Sequence, residues 1–172
     1  HARDLGCQAV AAVGPYYYNH PEDTLVRFYQ EIIDAVGKDY PVYVYHNPKF
    51  QGYEIPFDTM KKLKDIGING IKDATFDILT YATYMRCLAD DSFDIALGTE
   101  AMWLSARVLG CESYIPGLGN AYPEICVRMW KEGMQNNYQE CKKTQFQVNE
   151  MREIMYLARS TQLAVYAMAS LR

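Results

Sequence analysis

The sequence has no long apolar run, no basic cluster and no paired cysteine motif, and each absence removes a class of protein. Apolar stretches such as Gln8–Val13 and Leu163–Ala169 are too short to cross a bilayer. The net charge of −4 argues against nucleic acid or an anionic membrane surface as the main partner. The five cysteines are odd in number and widely spaced, with no Cys-x-x-Cys pair. We therefore expect no disulfide framework, no metal site and a cytoplasmic location.

What is present is globular composition in an alternating pattern. Hydrophobic residues make up 49% of the 172 positions, which is enough to bury one core. Apolar, β-branched runs predict strands at Gln8–Val13, Pro41–Tyr45, Ile68–Ile71, Phe93–Leu97 and Ser113–Ile115. Helical periodicity predicts helices at Pro21–Val36, Phe57–Ile66, Ile78–Leu88, Met102–Leu109, Tyr122–Lys131, Tyr138–Ala158 and Thr161–Leu171.

Five βα units in succession indicate an α/β protein with a parallel sheet. Two architectures remain open, the doubly wound fold and the eight-stranded barrel. No Gly-x-Gly-x-x-Gly follows a strand and opens a helix, which weakens the dinucleotide-binding version of the first. Polar residues gather where the strands end, and that is where a barrel carries its catalytic groups.

Lys72 is the most unusual of these polar residues. A strand buried on both faces would hold its amine in a low dielectric, which favours the neutral, nucleophilic form. A neutral amine can attack a ketone and form an iminium, which then serves as an electron sink. The alternative is a lysine at a strand edge that reaches water or pairs with Asp73.

Other strand ends carry residues with two open interpretations each. Tyr45 and Tyr17 could relay protons, or they could be aromatic core residues among the 15 tyrosines. His46 could be a base or a turn residue, and Glu100 could contact a polyol substrate or cap the next helix. Asp73 and Asp77 are predicted to serve a turn and a helix start.

Three segments taken together resemble one known family. They are Gly-Pro-Tyr-Tyr-Tyr at residues 14–18, Val-Tyr-Val-Tyr-His-Asn-Pro at 42–48 and Gly-Ile-Lys-Asp-Ala-Thr at 70–75. They are similar to the segments after the fourth, fifth and sixth strands of the dihydrodipicolinate synthase / N-acetylneuraminate lyase family, and they occur in the same order. The resemblance covers essentially the whole chain.

That resemblance implies a (β/α)8 TIM barrel with extra C-terminal helices. Residues 1–120 would hold about strands 4–8, and residues 121–172 the last barrel helix and the helical extension, with the N-terminal strands absent. The family's Schiff-base lysine falls on Lys72, its relay tyrosine on Tyr45, and the tyrosine that crosses a dimer interface on Tyr17. A homo-oligomer built as a dimer of dimers is implied, and no metal or organic cofactor is.

Departures from the family pattern bear on the substrate. Dihydrodipicolinate synthases typically have an arginine where this chain has Phe50, beside Lys49. Sialic acid lyases typically have an Asp-Glu pair after the glycine that corresponds to Gly98, and a serine that corresponds to Gly117. The first of the pair is Glu100 here, and the second is alanine. The substrate-binding residues implied are His46, Phe50, Gly98, Glu100 and Gly117.

The sequence therefore predicts a class I lyase or aldolase. Lys72 would form a Schiff base with pyruvate or another 2-oxo acid, and the partner aldehyde would be of the 2-keto-3-deoxy sugar acid or apolar type. Two alternatives stand beside it. One is a dihydrodipicolinate synthase that uses Lys49 in place of the arginine, and the other is a non-catalytic family member that binds a 2-oxo acid.

Overall fold

A computed structural model describes all 172 residues, which alternate between strands and helices. The strands are β1 (Val10–Val13), β2 (Val42–His46), β3 (Gly70–Asp73) and β4 (Asp94–Leu97). The helices are α1 (Glu22–Val36), α2 (Pro48–Gln51), α3 (Phe57–Asp65), α4 (Ile78–Cys87), α5 (Trp103–Val108), α6 (Pro123–Met134), α7 (Tyr138–Tyr156) and α8 (Thr161–Ser170). A short 3₁₀ helix covers Leu118–Asn120. The chain forms two compact units, His1–Ala96 and Leu97–Arg172.

The four strands form one sheet in the order β1-β2-β3-β4. The β1–β2 and β2–β3 pairs are both parallel. A doubly wound sheet reverses its strand order at a switch point, and this sheet has no such reversal. The α/β prediction with a parallel sheet is confirmed, and the sequential order is the one that a barrel uses.

The pairing of β2 with β3 decides which side chains share a face of the sheet. Tyr45 lies opposite Lys72, and His46 lies opposite Asp73. Successive side chains of a strand point to opposite faces, so the first pair occupies one face and the second pair the other. His46 and Asp73 are buried, whereas Tyr45 and Lys72 are half-buried.

Buried tyrosines connect helices to strands in the unit His1–Ala96. The Tyr29 hydroxyl of α1 donates to the carbonyl of Ala12 at 2.9 Å, and the Tyr81 hydroxyl of α4 donates to the carbonyl of Ile95 at 3.2 Å. Each phenol buries a large apolar ring and still satisfies its hydroxyl. These hydrogen bonds fix the positions of α1 and α4 along the strands that they pack against.

The unit Leu97–Arg172 packs around Trp103, which is fully buried. Its indole N–H donates to the Met129 carbonyl at 3.0 Å. A Cβ added at Gly133 would lie 2.5 Å from the indole nitrogen, so α6 needs a glycine to approach the ring. None of the helices in the chain is both long and apolar enough to cross a membrane.

All seven predicted helices and four of the five predicted strands form within a few residues of their predicted bounds. The predicted strand at Ser113–Ile115 is reduced to a single parallel bridge, which joins Tyr114 to Leu97. Pro116 follows at once and has no N–H with which to continue a ladder. The short helix α2 was not predicted. It begins with a proline, and the side chain of Asn47 accepts a hydrogen bond from Phe50 N–H at 3.2 Å.

Gly70 is the glycine on which the sheet depends most. A Cβ there would lie 2.5 Å from the Asp94 carbonyl oxygen and 2.5 Å from the Tyr43 ring. Gly70→Ala should lower the free energy of unfolding by about 1–3 kcal/mol, because neighbouring strands would have to separate. Urea unfolding followed by circular dichroism measures this loss. Gly117→Ala is the matched control, because its φ is −64° and nothing lies within 4 Å of the added carbon. Equal losses for the two variants would contradict the packing argument.

Candidate active site

Lys72 and Tyr45 form the centre of the candidate site. They are direct neighbours across the β2–β3 pair, and the Lys72 Nζ lies 3.8 Å from the centroid of the Tyr45 ring. An ammonium over an aromatic face is attracted by the ring quadrupole. The only strand-end lysine of the sheet is thus held directly over a phenol.

The Tyr45 hydroxyl is oriented by Asn47, a residue to which sequence reasoning assigned no role. The Asn47 Nδ2 donates to the Tyr45 hydroxyl oxygen at 3.1 Å, while its Oδ1 caps α2. Because the phenol oxygen accepts this bond, its own hydrogen is left to donate elsewhere. Asn47 follows Tyr45 by two positions, so this signal was available in the sequence.

Tyr17 lies in the loop after β1 and is 82% exposed. Its φ is +86°, a region that residues other than glycine occupy only at a cost of about 1–2 kcal/mol. Its ring makes an edge contact with Tyr18, with centroids 4.6 Å apart. A strained, exposed tyrosine is consistent with a functional loop, and the structure shows no contact between Tyr17 and Lys72.

His46 is 2% exposed, and both of its ring nitrogens have partners. The Ile55 N–H donates to Nε2 at 3.1 Å, and Nδ1 lies 3.0 Å from the Tyr84 hydroxyl. Burial lowers the pKa of His46 to about 4, so the ring is neutral at pH 7. Phe50, by contrast, lies on α2 and is 61% exposed.

Asp73 is a functional candidate that sequence reasoning placed only in a turn. Its Oδ1 does accept the Thr75 N–H at 3.1 Å, as a turn residue would. The carboxylate is nevertheless 1% exposed, and Oδ2 has no hydrogen-bond partner. Burial raises the pKa of Asp73 to about 6, against the lowering effect of the Thr75 hydrogen bonds. Asp77 caps α4 as predicted, accepting from Leu79 N–H at 3.0 Å.

Glu100, Gly98 and Gly117 belong to the other unit, Leu97–Arg172. Gly98 directly follows β4. Glu100 is fully buried, and its carboxylate accepts from the N–H groups of Gly117 at 3.0 Å and Leu118 at 3.2 Å. Arg152 completes the arrangement at 2.6 Å. Glu100 therefore holds the glycine-rich loop to α7, and no sequence signal linked it to Arg152.

No group of three or more His, Cys, Asp or Glu side chains is placed to hold a metal ion in the described chain. None of the five cysteines is in a disulfide bond. The candidate site offers an amine, a phenol and hydrogen-bonded carboxylates.

The chain is an α/β protein with a parallel sheet. Its candidate site, an amine over a phenol, lies at the C-terminal ends of two neighbouring strands. The chain belongs to the Dihydrodipicolinate synthetase family, whose profile matches residues 1–171. This membership confirms the resemblance that the three sequence segments indicated.

Relatives and solved structures agree with the family assignment. The 4-hydroxy-tetrahydrodipicolinate synthase of Methanospirillum hungatei is 27% identical over 156 residues, which is 90% of this chain and 53% of that protein. A variant of the Sulfolobus solfataricus 2-keto-3-deoxygluconate aldolase superposes with a TM-score of 0.85 at 25% identity, covering 99% of this chain and 56% of that one. The Ruminococcus gnavus sialic acid aldolase has the same fold, with a TM-score of 0.85 at 23% identity over 92% of this chain and 52% of that one. The chain thus spans about half the length of the curated relatives it matches.

The raised pKa of Asp73 gives a stability prediction with a definite sign. A carboxyl whose pKa is higher in the folded state contributes stability that is fully present below the unfolded value of 3.8 and is lost as pH rises through about 6. Asp73→Asn should therefore raise the free energy of unfolding by about 1–3 kcal/mol at pH 8, and the gain should shrink toward pH 4.

Urea unfolding at pH 8 and pH 4.5 measures this difference. Asp77→Asn is the matched control, because hydrogen bonds from Thr80 and Leu79 lower the pKa of Asp77. Its substitution should bring no gain at pH 8. A pH-independent effect of Asp73→Asn would contradict the titration.

Proposed function

We propose that this chain carries the Schiff-base centre of a class I lyase or aldolase. The amine of Lys72 attacks the carbonyl of pyruvate or another 2-oxo acid, and water leaves to give an iminium. In cleavage the iminium accepts the electron pair of the breaking carbon–carbon bond and becomes an enamine. In condensation the iminium first loses a proton to give the enamine, which supplies the electron pair of the new bond. One observation carries the proposal. Lys72 and Tyr45 lie opposite each other on neighbouring strands, and the Lys72 Nζ is 3.8 Å from the centroid of the Tyr45 ring.

In the proposed reaction, Tyr45 moves protons at the forming iminium. Its hydroxyl oxygen accepts from Asn47, so the phenol is oriented and its hydrogen is available to the carbinolamine oxygen. Loss of that oxygen as water needs such a proton. No cofactor is required, because the iminium is itself the electron sink.

Tyr17 enters the proposal as a residue donated to the site of a partner subunit. The Tyr17 side chain is 82% exposed and its backbone φ is +86°, so most of the ring is free to contact another subunit. A homo-oligomer, arranged as a dimer of dimers, would bury this aromatic loop. The lack of disulfide bonds among the five cysteines supports a reducing, cytoplasmic location for the protein.

We further propose that the strands correspond to strands 4–8 of a (β/α)8 barrel. In this assignment β1 to β4 are strands 4–7, and the bridge at Tyr114 belongs to the eighth strand. Residues 1–120 would then be barrel, and 121–172 the last barrel helix and the helical extension. The sequential strand order and the aldolase superpositions support it.

The substrate that fits best is a 2-keto-3-deoxy sugar acid or an adduct of an apolar aldehyde. Exposed Phe50 supplies an apolar surface where a carboxylate-binding arginine would otherwise stand. Gly98 and Gly117 stay predicted substrate-binding residues. His46 and Glu100 already have partners for their polar atoms, so their direct contact with substrate stays a prediction, and their geometry favours a supporting role.

Borohydride trapping tests the Schiff base. Incubating the full-length protein with pyruvate and borohydride should leave one reduced pyruvyl group on the peptide that carries Lys72, detected by mass spectrometry. Lys72→Ala should abolish the adduct, because no other amine lies over the Tyr45 ring. Lys49→Ala is the control, since Lys49 is exposed on α2, and it should leave the adduct intact. A folded protein that forms no adduct with any 2-oxo acid would refute the aldolase proposal.

A substitution at Phe50 separates the two enzyme alternatives. Phe50→Arg should lower KM for aspartate semialdehyde by about tenfold, because a charge-assisted bidentate pair adds about 1.5–3 kcal/mol. Phe50→Lys is the control, since a point charge lacks the fork. Efficient use of aspartate semialdehyde by the unaltered protein would instead favour the synthase that relies on Lys49. Binding of a 2-oxo acid without any turnover would favour the non-catalytic alternative.

A further inference from the structure

One side chain, Tyr53, contacts both ends of the loop that carries Tyr17. This loop, residues 15–20, lies between β1 and α1, and we call it the aromatic loop. At its start, the Tyr53 hydroxyl donates to the Pro15 carbonyl at 2.6 Å. At its end, the Tyr53 ring makes an edge contact with the His20 ring, with centroids 6.2 Å apart. Tyr53 therefore spans the base of the aromatic loop, and the three tyrosines between these contacts are exposed.

Gly14 makes room for the Tyr53 hydroxyl. A Cβ at Gly14 would lie 2.8 Å from the Tyr53 hydroxyl oxygen and 3.6 Å from the Gln51 Oε1. The first distance is too short for a real Cβ, so a side chain at position 14 would displace the hydroxyl. A glycine directly after β1 permits this close approach to the backbone.

The single-turn helix α2 joins Tyr53 to the Tyr45 phenol. Asn47 donates to the Tyr45 hydroxyl through Nδ2 and caps α2 through Oδ1. The helix ends at Gln51, whose side chain is fully buried and whose Nε2 donates to the Tyr53 carbonyl at 2.7 Å. Burial excludes water as a competing partner, so this bond keeps Tyr53 attached to the helix. One helical turn and its hydrogen bonds therefore connect the phenol of the candidate site to the aromatic loop.

Tyr17 needs such support because its own backbone is strained. Its φ is +86°, and a conformation of this kind persists only where the surrounding structure holds it. No hydrogen bond between backbone groups is formed by residues 15–20 themselves. The contacts of Tyr53 at the two ends of the loop supply what the loop backbone does not.

We infer that Tyr53, fixed by Gln51, holds the aromatic loop in the conformation in which Tyr17 reaches the site of a partner subunit. Tyr53 and Gln51 are positioning residues. This role rests on the proposed function of Tyr17 and adds to it the side chains that orient the loop. The helix α2 thereby serves two sites, orienting Tyr45 for its own subunit and Tyr17 for the partner.

Limited proteolysis of the full-length protein tests the contact independently of catalysis. Chymotrypsin cuts after the tyrosines at 16–18 when the loop opens, so the cleavage rate reports how firmly the loop is held. Tyr53→Phe keeps the ring, removes the hydroxyl and should speed cleavage by about fivefold, as expected for one lost hydrogen bond. Tyr40→Phe is the matched control, because the Tyr40 hydroxyl donates to the Cys7 carbonyl at 2.7 Å, before β1 rather than after it. It should leave the cleavage rate unchanged.

A double-mutant cycle shows whether Tyr53 acts through Tyr17. Tyr53→Phe should slow formation of the pyruvate adduct on Lys72 by about tenfold, since small misplacements of a reacting group have effects of at least that size. In a Tyr17→Phe background the same substitution should cause no further slowing, because the hydroxyl that Tyr53 positions is gone. A general loss of structure would slow the reaction in both backgrounds. Tyr40→Phe should leave the adduct rate unchanged.

Each outcome bears on one proposal. Absence of a pyruvate adduct in the unaltered protein would refute the proposed function, and proteolysis would still decide whether Tyr53 holds the loop. Cleavage of Tyr53→Phe at the rate of the unaltered protein, or equal slowing of adduct formation in both backgrounds, would overturn the positioning role alone. If Tyr53→Phe does not fold, Gly14→Ala decides, because the added methyl meets only the hydroxyl end of the Tyr53 side chain within 3 Å. Unchanged cleavage in that variant also overturns the inference.

Discussion

The register between β2 and β3 is the constraint on which the rest of the structure depends. It places Tyr45 opposite Lys72 on one face and His46 opposite Asp73 on the other. A shift of one residue would exchange the faces. The amine would then lie among the packed helices, and the buried pair would lie where the substrate is proposed to bind. This register requires a glycine at position 70, because a Cβ there would collide with the Asp94 carbonyl oxygen of the next strand.

Two buried carboxylates serve the two units in different ways. Glu100 is saturated by two backbone N–H groups and Arg152, so it is a permanent anchor for the loop before the 3₁₀ helix. Asp73 has one oxygen without a partner and a pKa raised to about 6 by burial. A fully hydrogen-bonded carboxylate fixes a loop, whereas the Asp73 carboxylate, with a pKa of about 6, can change its charge near neutral pH. Asp73 directly follows Lys72, the proposed Schiff-base lysine, so a change in the charge of Asp73 would occur beside that amine.

Local patterns predicted most of the elements because each has its own start, stop and periodicity. The helix α1 shows this, with Leu25, Tyr29 and Ile33 on its buried face and acids in its first turn. The errors fell where a local pattern is ambiguous. Ser113–Ile115 has the composition of a strand, but only one bridge forms. The helix α2 is a single turn that depends on the Asn47 cap, and a segment so short has no periodicity to detect.

The sequence by itself determined the order of βα units, the family to which the chain belongs, and the placement of Lys72 and Tyr45 at adjacent strand ends. These follow from short-range spacing, which the chain carries along its length. Only the tertiary structure decided what surrounds them. Tyr84 on His46 and Arg152 on Glu100 are contacts between residues 38 and 52 positions apart. Such partners are chosen by packing in three dimensions, and no local pattern in the sequence records that choice.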